Sequence, residues 1–552
     1  MYKYKTLLVV LTTLCSLIPA FLYSQSVDTA WVRRYNTPAL YSDDRATSLA
    51  VDGQGNVYVT GYSNGLGSSY DYATIKYNSA GVQQWVQRYN GPLGYGDDGA
   101  TSLAVDGQGN VYVTGTSIGS PTNNDYATIK YNSTGVQQWI ARYNGPGNWE
   151  DDATSLAVDG QGNVYITGQS ASYDSTCDYA TIKYNIAGVQ QWVARYDGPM
   201  VDYDDGANSL AVDGQGNVYV TGWSFGSITT SVDYATIKYN SAGVQQWIQR
   251  YNGLANGYDY ARAIAVDGSG NVYVTGQSDG SGTDEDYATI KYNSSGVQQW
   301  VARYNGPGID YHYDYAHSLA VDGQGNVYVT GESRGSGTYQ DYATIKYNSA
   351  GVQQWVQRYN GPAGTGDGCA YALAVDGQSN VYVTGSSAGS GTWTDYATIK
   401  YNSAGVQQWI QRYNGPGNRE DGANSLAVDG QGNVYVTGGS TGNGSNGYDY
   451  ATIKYVQTGA IEENHSLLSA DRFSFEVYPN PAKTFFTVRS PFNAQGSMLR
   501  IFDVTGKVVK EFRSDVASAS STLRVTLDGI MNGIYFIKVG NEMVKEKLVV
   551  TR

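Results

Sequence analysis

Between residues 27 and 456 the hydrophobic positions fall into short alternating runs rather than helical stripes. In the first full unit these runs are SLAVD (48–52), NVYVTG (56–61), DYATIKY (71–77) and VQQWVQRY (82–89), parted by Gly-rich or NSAG turns. Such runs bounded by turn residues predict four β-strands joined by hairpins. The period of two sends Val57 and Val59 to one face and Tyr58 and Thr60 to the other. Both faces therefore carry packable side chains, which predicts a small sheet sandwiched between neighbours. No helical periodicity is found in the units.

The pattern recurs. The aspartate that opens the DGQGN-type turn stands at Asp52, Asp106, Asp159, Asp213, Asp267, Asp322, Asp376 and Asp429, always 53–55 residues from the next. Four strands per unit, repeated eight times, predict an all-β, eight-bladed β-propeller. The array opens with TAWVRRYN (29–36), a fourth strand without its first three. It ends with DYATIKY (449–455), a third strand lacking its fourth. The N-terminal strand is expected to complete the last blade and remove an open edge. An open solenoid would leave both ends unmatched.

Outside the repeats, two segments read differently. Lys3 and Lys5 precede the apolar run Leu7–Tyr23, and Ser24-Gln25-Ser26 offers small residues, so residues 1–25 are expected to be a signal peptide. No later stretch approaches the roughly 20 apolar residues of a spanning helix, so the mature chain is expected to lack a transmembrane anchor. Residues 457–470 read as a linker. Residues 471–552 carry short alternating strands, among them FFTVRS (485–490), TLRVTL (522–527) and GIYFIKV (533–539), and predict a small immunoglobulin-like β-sandwich.

Composition narrows the classes. Of 552 residues, 15% are charged and 13% aromatic, with 69 Gly and 51 Tyr, which is ample apolar area for a packed structure. The formal net charge of −14 argues against nucleic acid, whose phosphates call for Lys and Arg. After signal removal only Cys177 and Cys369 remain, in different repeats, so no disulfide framework is expected.

At these residues two resemblances emerge. Asp, two residues, GNVYVTG, then DYATIKYN, Gly and Trp resembles the SBBP β-propeller repeat over about residues 27–456, and implies a propeller without assigning an activity. YPNPA (478–482), IFDVTGKVV (501–509), NGIYFIKV (532–539) and KLVV (547–550) resemble, in order, the type A C-terminal sorting domain of the type IX secretion system. That resemblance implies residues 471–552 as the partner of the secretion machinery. It also implies a secreted or outer-surface location in a Gram-negative Bacteroidota-like bacterium.

Candidate chemistry is sparse. Thirty-two tyrosines and eight tryptophans sit in the repeat frame, which predicts packing roles, and the in-frame Lys76 and Arg88 sets are expected to find local acidic partners. His312 and His317 read as one connecting loop without a Cys or Glu cluster to suggest zinc. The AVDGQGNVYVTG run (104–115) fails as an EF-hand, with Val111 sixth and Ser117 twelfth where Gly and Glu are needed, and reads as a hairpin hinge.

Residues outside the frame carry the binding expectation. Trp149 is assigned to a fourth-to-first connection, and Trp223 and Trp393 to second-to-third connections, which vary most between units: YSNGLGSSY, TSIGSPTNN, WSFGSITTSV and the Tyr339-bearing ESRGSGTYQ. In a propeller both kinds of connection share one face, where binding sites gather. Asp44, Asp98, Asp151, Asp205, Asp259, Asp314 and Asp421 stand eight residues before the turn aspartate, and Asp367 nine. They are expected on the same face as loop caps, as a cation or cationic-ligand rim, or as catalytic carboxylates; oxygen-rich loops would suit Ca²⁺. The leading expectation is a secreted, non-enzymatic propeller binding glycans or proteins through its variable-loop face. The alternatives are an extracellular polysaccharide hydrolase or lyase using acidic residues at the channel mouth, and a structural surface-layer spacer.

Overall fold

A computed structural model describes residues 26–37, 42–65, 67–119, 123–173, 176–201, 203–227, 231–308, 313–364, 366–442 and 447–458. In the C-terminal unit it describes 476–478, 485–489, 498–502, 508–513, 522–539, 542–543 and 548–550. The predicted signal peptide, His312 and His465 lie outside the described residues. The chain divides into two compact units, Met1–Ile461 and Glu462–Arg552.

The first unit contains eight four-stranded antiparallel sheets, seven of them formed from consecutive strands. In blade 1 these are Arg45–Val51, Val57–Asn64, Tyr70–Tyr77 and Gln83–Tyr89. The eighth sheet joins Asp421–Val428, Val434–Thr441 and Tyr448–Thr458 to the N-terminal strand Ser26–Tyr35. The first strand therefore starts three residues earlier than the sequence reading placed it, and the second runs three further. Each first strand also carries a β-bulge, at Thr47 in blade 1, between the paired residues Ala46 and Ser48.

Local chemistry explains the hairpins. In the DGQGN turn, Asp106 Oδ1 accepts the backbone N–H groups of Gln108 and Asn110, both at 2.9 Å. Its Oδ2 accepts from Asn110 Nδ2 at 2.8 Å and the Tyr112 hydroxyl at 3.1 Å. Gly109 takes φ +77°, the left-handed region. Ser379 holds the same conformation in blade 7, with φ +60°, and its hydroxyl donates to Asp322 of the preceding blade at 2.9 Å. The opening-turn aspartates are thus satisfied within the turn, and those donors hold the carboxyls of seven of the eight, Asp52 to Asp376, below the ordinary range despite partial burial.

Cores lie between blades, not within them. Tyr58 and Tyr72 of blade 1 pack with Ala100, Leu103, Val111, Val113, Ala127, Ile129 and Tyr131 of blade 2. At about 200 Å² per ring and ~25 cal/mol per Å², each such tyrosine contributes at most about 5 kcal/mol. The Tyr72 hydroxyl donates to Ala127 O at 3.2 Å, so burial leaves no orphan there. Trp85 reaches across to the next hairpin: its Nε1 donates to Ser133 O at 3.3 Å, and a Cβ on Gly135 would stand 2.8 Å from the indole. Lys76 has no acidic partner of the expected kind; its ammonium donates to the same Ser133 carbonyl at 3.0 Å, above the Tyr58 ring.

Arg88 meets the buried Asp71 of its own blade at 2.7 Å, and also binds Ser63 and the Tyr35 hydroxyl of the neighbouring fourth strand. Equivalent pairs recur in every blade. The N-terminal strand reproduces this set in blade 8. Arg34 pairs with Asp449 at 2.6 Å, Trp31 Nε1 donates to Ser79 O at 3.2 Å, and the Tyr450 hydroxyl donates to Ala73 O at 3.2 Å. The ring is closed. Blade 8 has no NSAG hairpin, and Gln457 takes its place by accepting from Lys400 and Trp409.

In the second unit, strands Glu476–Tyr478, Phe485–Arg489 and Thr522–Thr526 form one antiparallel sheet. A second sheet is ordered Val508–Arg513, Met498–Phe502, Gly533–Val539 and Glu542–Met543, with Leu548–Val550 also paired to Gly533–Val539. Ile501, Val525, Ile537 and Val550 are buried.

Removing one partner of a buried ion pair strands the other charge, at a cost of about 3–5 kcal/mol. Arg34→Ala and Arg195→Ala should therefore both lower the urea midpoint, since each leaves a buried aspartate unpaired. Limited proteolysis separates them: only Arg34→Ala should make the N-terminal strand susceptible, because only there does the pair hold the closing strand.

Candidate functional site

The topology puts the DGQGN and NSAG turns on one face and the second-to-third and fourth-to-first connections on the other. The two faces differ in kind. Exposed large apolar residues next to the turns are aliphatic, such as Val82, Val136, Val244 and Val352. Every exposed aromatic among the described propeller residues belongs to the connection face: Tyr95, Trp149, Tyr173, Tyr203, Tyr258, Tyr313, Tyr339, Tyr371 and Trp393.

The nominated residues are placed as follows. Trp149 (52% exposed), Tyr339 (60%) and Trp393 (65%) stand on connections at blades 3, 6 and 7. Tyr339 and Trp393 stand on adjacent blades, and Trp149 stands three blades away from Tyr339. Trp223 is not in a loop. It lies within the second strand of blade 4, Val218–Ser227, opposite Gly206, where a Cβ would meet its indole nitrogen at 2.8 Å. Its ring meets Tyr260 edge-on at 5.8 Å, and Tyr260 stacks parallel to Tyr258 at 6.3 Å.

The nominated aspartates do not form a solvent-facing rim. Asp44, Asp98, Asp151, Asp205, Asp259, Asp314 and Asp421 are at most 1% exposed. One oxygen accepts a backbone N–H from the preceding connection, at 2.7 Å from Gly91 to Asp98 and from Gly145 to Asp151. In blades 1, 4, 6 and 8 the other oxygen accepts from the end of the second strand, as from Phe225 to Asp205 at 3.0 Å. One carboxylate thus ties the two variable connections of a blade together. In blade 7, Gly368 occupies this position and Asp367 stands beside it at φ +65°. Burial is the dominant influence on the other seven and pushes their carboxyls up, to about 6 in Asp151, Asp205 and Asp259, although the serine and loop donors pull the other way.

The bulge residue of each first strand is the column where the blades diverge most usefully. Thr47, Thr101, Thr154, Asn208 and Asn424 each donate to a carbonyl of the next blade's first strand, at 2.7–2.9 Å. In blades 5, 6 and 7 the column holds Arg262, His317 and Tyr371. Arg262 turns instead to Gln277 Oε1, at 2.7 Å, and its guanidinium stands over Tyr315. His317 is therefore a strand residue rather than a loop residue, and Glu332 and Cys369 are its neighbours. The sequence reading missed this group because it began the first strand three residues late, which left its variable columns among the loops.

The profile of the β-propeller repeat family SBBP matches residues 30–67, 84–121, 138–174, 202–228, 246–282, 299–337 and 408–444. That of the secretion system C-terminal sorting domain matches 476–551. The chain is an SBBP β-propeller protein with a type IX C-terminal sorting domain. Its sorting domain marks this SBBP protein for the type IX machinery and for secretion to the cell surface. Among the described residues no helix is long and apolar enough to cross a membrane. A stretch of the chain is 31% identical over 109 residues to β-agarase A of Zobellia galactanivorans, covering 18% of this chain and 20% of that protein. The chain thus spans about a fifth of that relative. Among solved structures, PorZ of Porphyromonas gingivalis, a surface component of the type IX secretion system, is similar at 13% identity and TM-score 0.37, over 92% of this chain and 75% of that one. A PL25 ulvan lyase is similar at 12% identity and TM-score 0.39, over 77% of this chain and 96% of that one.

The raised aspartates set a pH dependence with a definite sign. With folded values near 6 and unfolded values near 4, native Asp151, Asp205 and Asp259 hold more protons than the unfolded chain in that window. Their contribution to stability is full below about pH 4 and lost as pH rises through about 6. Seven turn aspartates of this SBBP protein, Asp52 to Asp376, act in the opposite direction, losing stability as pH falls through their lowered range. Asp205→Asn should flatten the decline in stability between pH 4 and 6.5 by about 1 kcal/mol per pH unit, read from urea midpoints. An unchanged slope would show that Asp205 titrates normally.

Proposed function

We propose that this SBBP propeller is a non-enzymatic, surface-displayed binding module that takes glycan or protein ligands on its connection face. The observation that supports this reading is the segregation of exposed aromatic rings onto that face, opposite an aliphatic one. Tyr and Trp offer rigid, amphipathic area that packs on a sugar face or a protein surface at little entropic cost. The loops that carry Trp149 and Tyr339 are pinned from beneath by the buried Asp151 and Asp314, so less ordering remains to be done there on binding. Eight similar blades favour repeated contacts along a polymer.

The reading that makes Asp98 or Asp151 a general acid or base is weakened by their positions. A glycosidase needs two carboxyls flanking an accessible bond, roughly 5–10 Å apart. These carboxylates are buried under the connections, and one oxygen of each accepts a loop amide.

A screen of the full chain against polysaccharides and cell-envelope extracts, with and without a calcium chelator, tests the proposal. Binding should withstand chelation. It should weaken about tenfold in Trp393→Ala or Trp149→Ala, the effect of a contact worth ~1.4 kcal/mol. Binding unaffected by the combined loss of Trp149, Tyr339 and Trp393 would remove the connection face from consideration. Polysaccharide turnover abolished by Asp151→Asn would replace the binding reading with the enzymatic one.

A further inference from the structure

Two of the blades that break the bulge-column pattern, blades 6 and 7, bring a histidine, a glutamate and a cysteine to one point. His317 is the bulge residue of the first strand of blade 6, Asp314–Val321, and Glu332 lies in that blade's second strand, Val327–Arg334. Cys369 comes from the first strand of blade 7, Gly368–Val375. One ligand atom from each lies within 4.8 Å of the other two. His317 Nε2 stands 3.6 Å from Glu332 Oε1, is buried, and has no hydrogen-bond partner among the described residues. Cys369 is 8% exposed.

Packing does not explain these residues. The column of Cys369 holds glycine in blades 2, 4 and 8 (Gly99, Gly206, Gly422) and Arg45, Asp152, Tyr260 and Tyr315 in the others, so the frame does not call for a thiol there. The column of His317 holds threonine in blades 1–3, where the hydroxyl donates to the neighbouring blade's first strand. His317 gives up that role and directs an unpartnered nitrogen toward a thiol and a carboxylate. A buried polar atom left without a partner is destabilising, and a bound cation would recover the lost interaction.

We propose that His317, Glu332 and Cys369 form a three-ligand site for a borderline-soft divalent transition metal, Zn²⁺ in particular. Thiolate, imidazole and carboxylate together suit zinc and disfavour the hard, all-oxygen calcium chemistry expected of aspartate loops. Zinc bonds of about 2.0–2.3 Å give tetrahedral ligand–ligand edges of about 3.3–3.8 Å. The 3.6 Å between His317 and Glu332 falls within that span, and the Cys369 thiol lies within 4.8 Å of both. His317 and Glu332 side chains keep 15% and 20% exposure, so a fourth position remains open to water or to a ligand group. Tyr371, whose ring lies 5.5 Å from that of His317, is placed to support the imidazole and the thiolate from the adjacent blade.

The sibling blades supply conservative variants: Cys369→Gly, His317→Thr and Glu332→Gln are residues found in the same columns elsewhere in the ring. The test titrates metal-free full chain with Zn²⁺ by calorimetry and with Co²⁺ by absorption spectroscopy. One metal per chain is expected, with an intense thiolate-to-cobalt charge-transfer band in the near ultraviolet. Each variant should lose about 100-fold or more in affinity, at least the upper range seen when only a supporting group is removed. The band should vanish in Cys369→Gly and in the volume-preserving Cys369→Ser, and persist in Cys177→Ser. A cobalt complex without the band, or zinc stoichiometry and affinity unchanged in Cys369→Ser, would overturn the proposal. The readout is metal occupancy, so it stands or falls separately from glycan or protein binding at the connection face.

Discussion

The fourth-strand indole lying on the hairpin glycine of the next blade, at seven of the eight interfaces, is the contact on which the ring depends. Trp85 on Gly135, Trp139 on Gly188 and Trp192 on Gly243 are the same contact repeated, each ring closer to the glycine than any Cβ would allow. Each indole also donates to a carbonyl of that hairpin, and a lysine donates to the same carbonyl. The hairpin thus meets a hydrogen-bonding and an aromatic partner at once, so blade spacing is set by geometry rather than by loosely matched apolar area. Because cores lie between blades, no blade is complete alone. Stability is shared with neighbours, and the ends must be solved specially. Trp31 on Gly81 solves one end and Gln457 the other.

This dependence explains what could be read in the sequence. Blade count, strand count and closure rest on features that recur eight times, and an isolated fourth strand at the N-terminus has one natural partner. Chemistry was legible where it is local: the DGQGN aspartate is satisfied within four residues of itself, apart from one tyrosine. It was not legible where it depends on burial. Asp106 and Asp98 lie eight residues apart, yet the first sits in a turn with four donors and the second is buried at the root of two connections. Lys76 likewise meets a carbonyl and a tyrosine face instead of a carboxylate, because its partner is on the next blade.

The misassignment of Trp223 and His317 has one physical cause. Apolar alternation marks where a strand is packed between neighbours, and it fades toward the connection face, where side chains meet solvent or each other. The strands nevertheless continue there, held by ladder pairing such as Gly206 with Trp223 and Tyr315 with Glu332. The positions most open to functional change are therefore strand residues with loop-like sequence. A bulge in each first strand adds to this, since it re-aims one side chain per blade without disturbing the pairing around it.

A symmetric ring makes local divergence inexpensive. The Arg–Asp pairs, the indole contacts and the interblade tyrosines are all laid down outside the bulge column, so replacing threonine there by Arg262, His317 or Tyr371 forgoes the interblade hydrogen bond of the hydroxyl, and its longer contact with the second strand of its own blade, and leaves those sets in place. Adjacent blades can then combine their exceptions, because the first strands are neighbours around the centre: Arg262 reaches the Tyr315 ring of blade 6, and His317 reaches the Tyr371 ring of blade 7. A single blade cannot hold three converging ligands on one bulge, whereas two adjacent ones can. Symmetry in the frame and asymmetry in one column are consequently parts of the same arrangement: the first supplies rigidity, and the second confines new chemistry to the inner edge of the connection face, spanning blades 5 to 7.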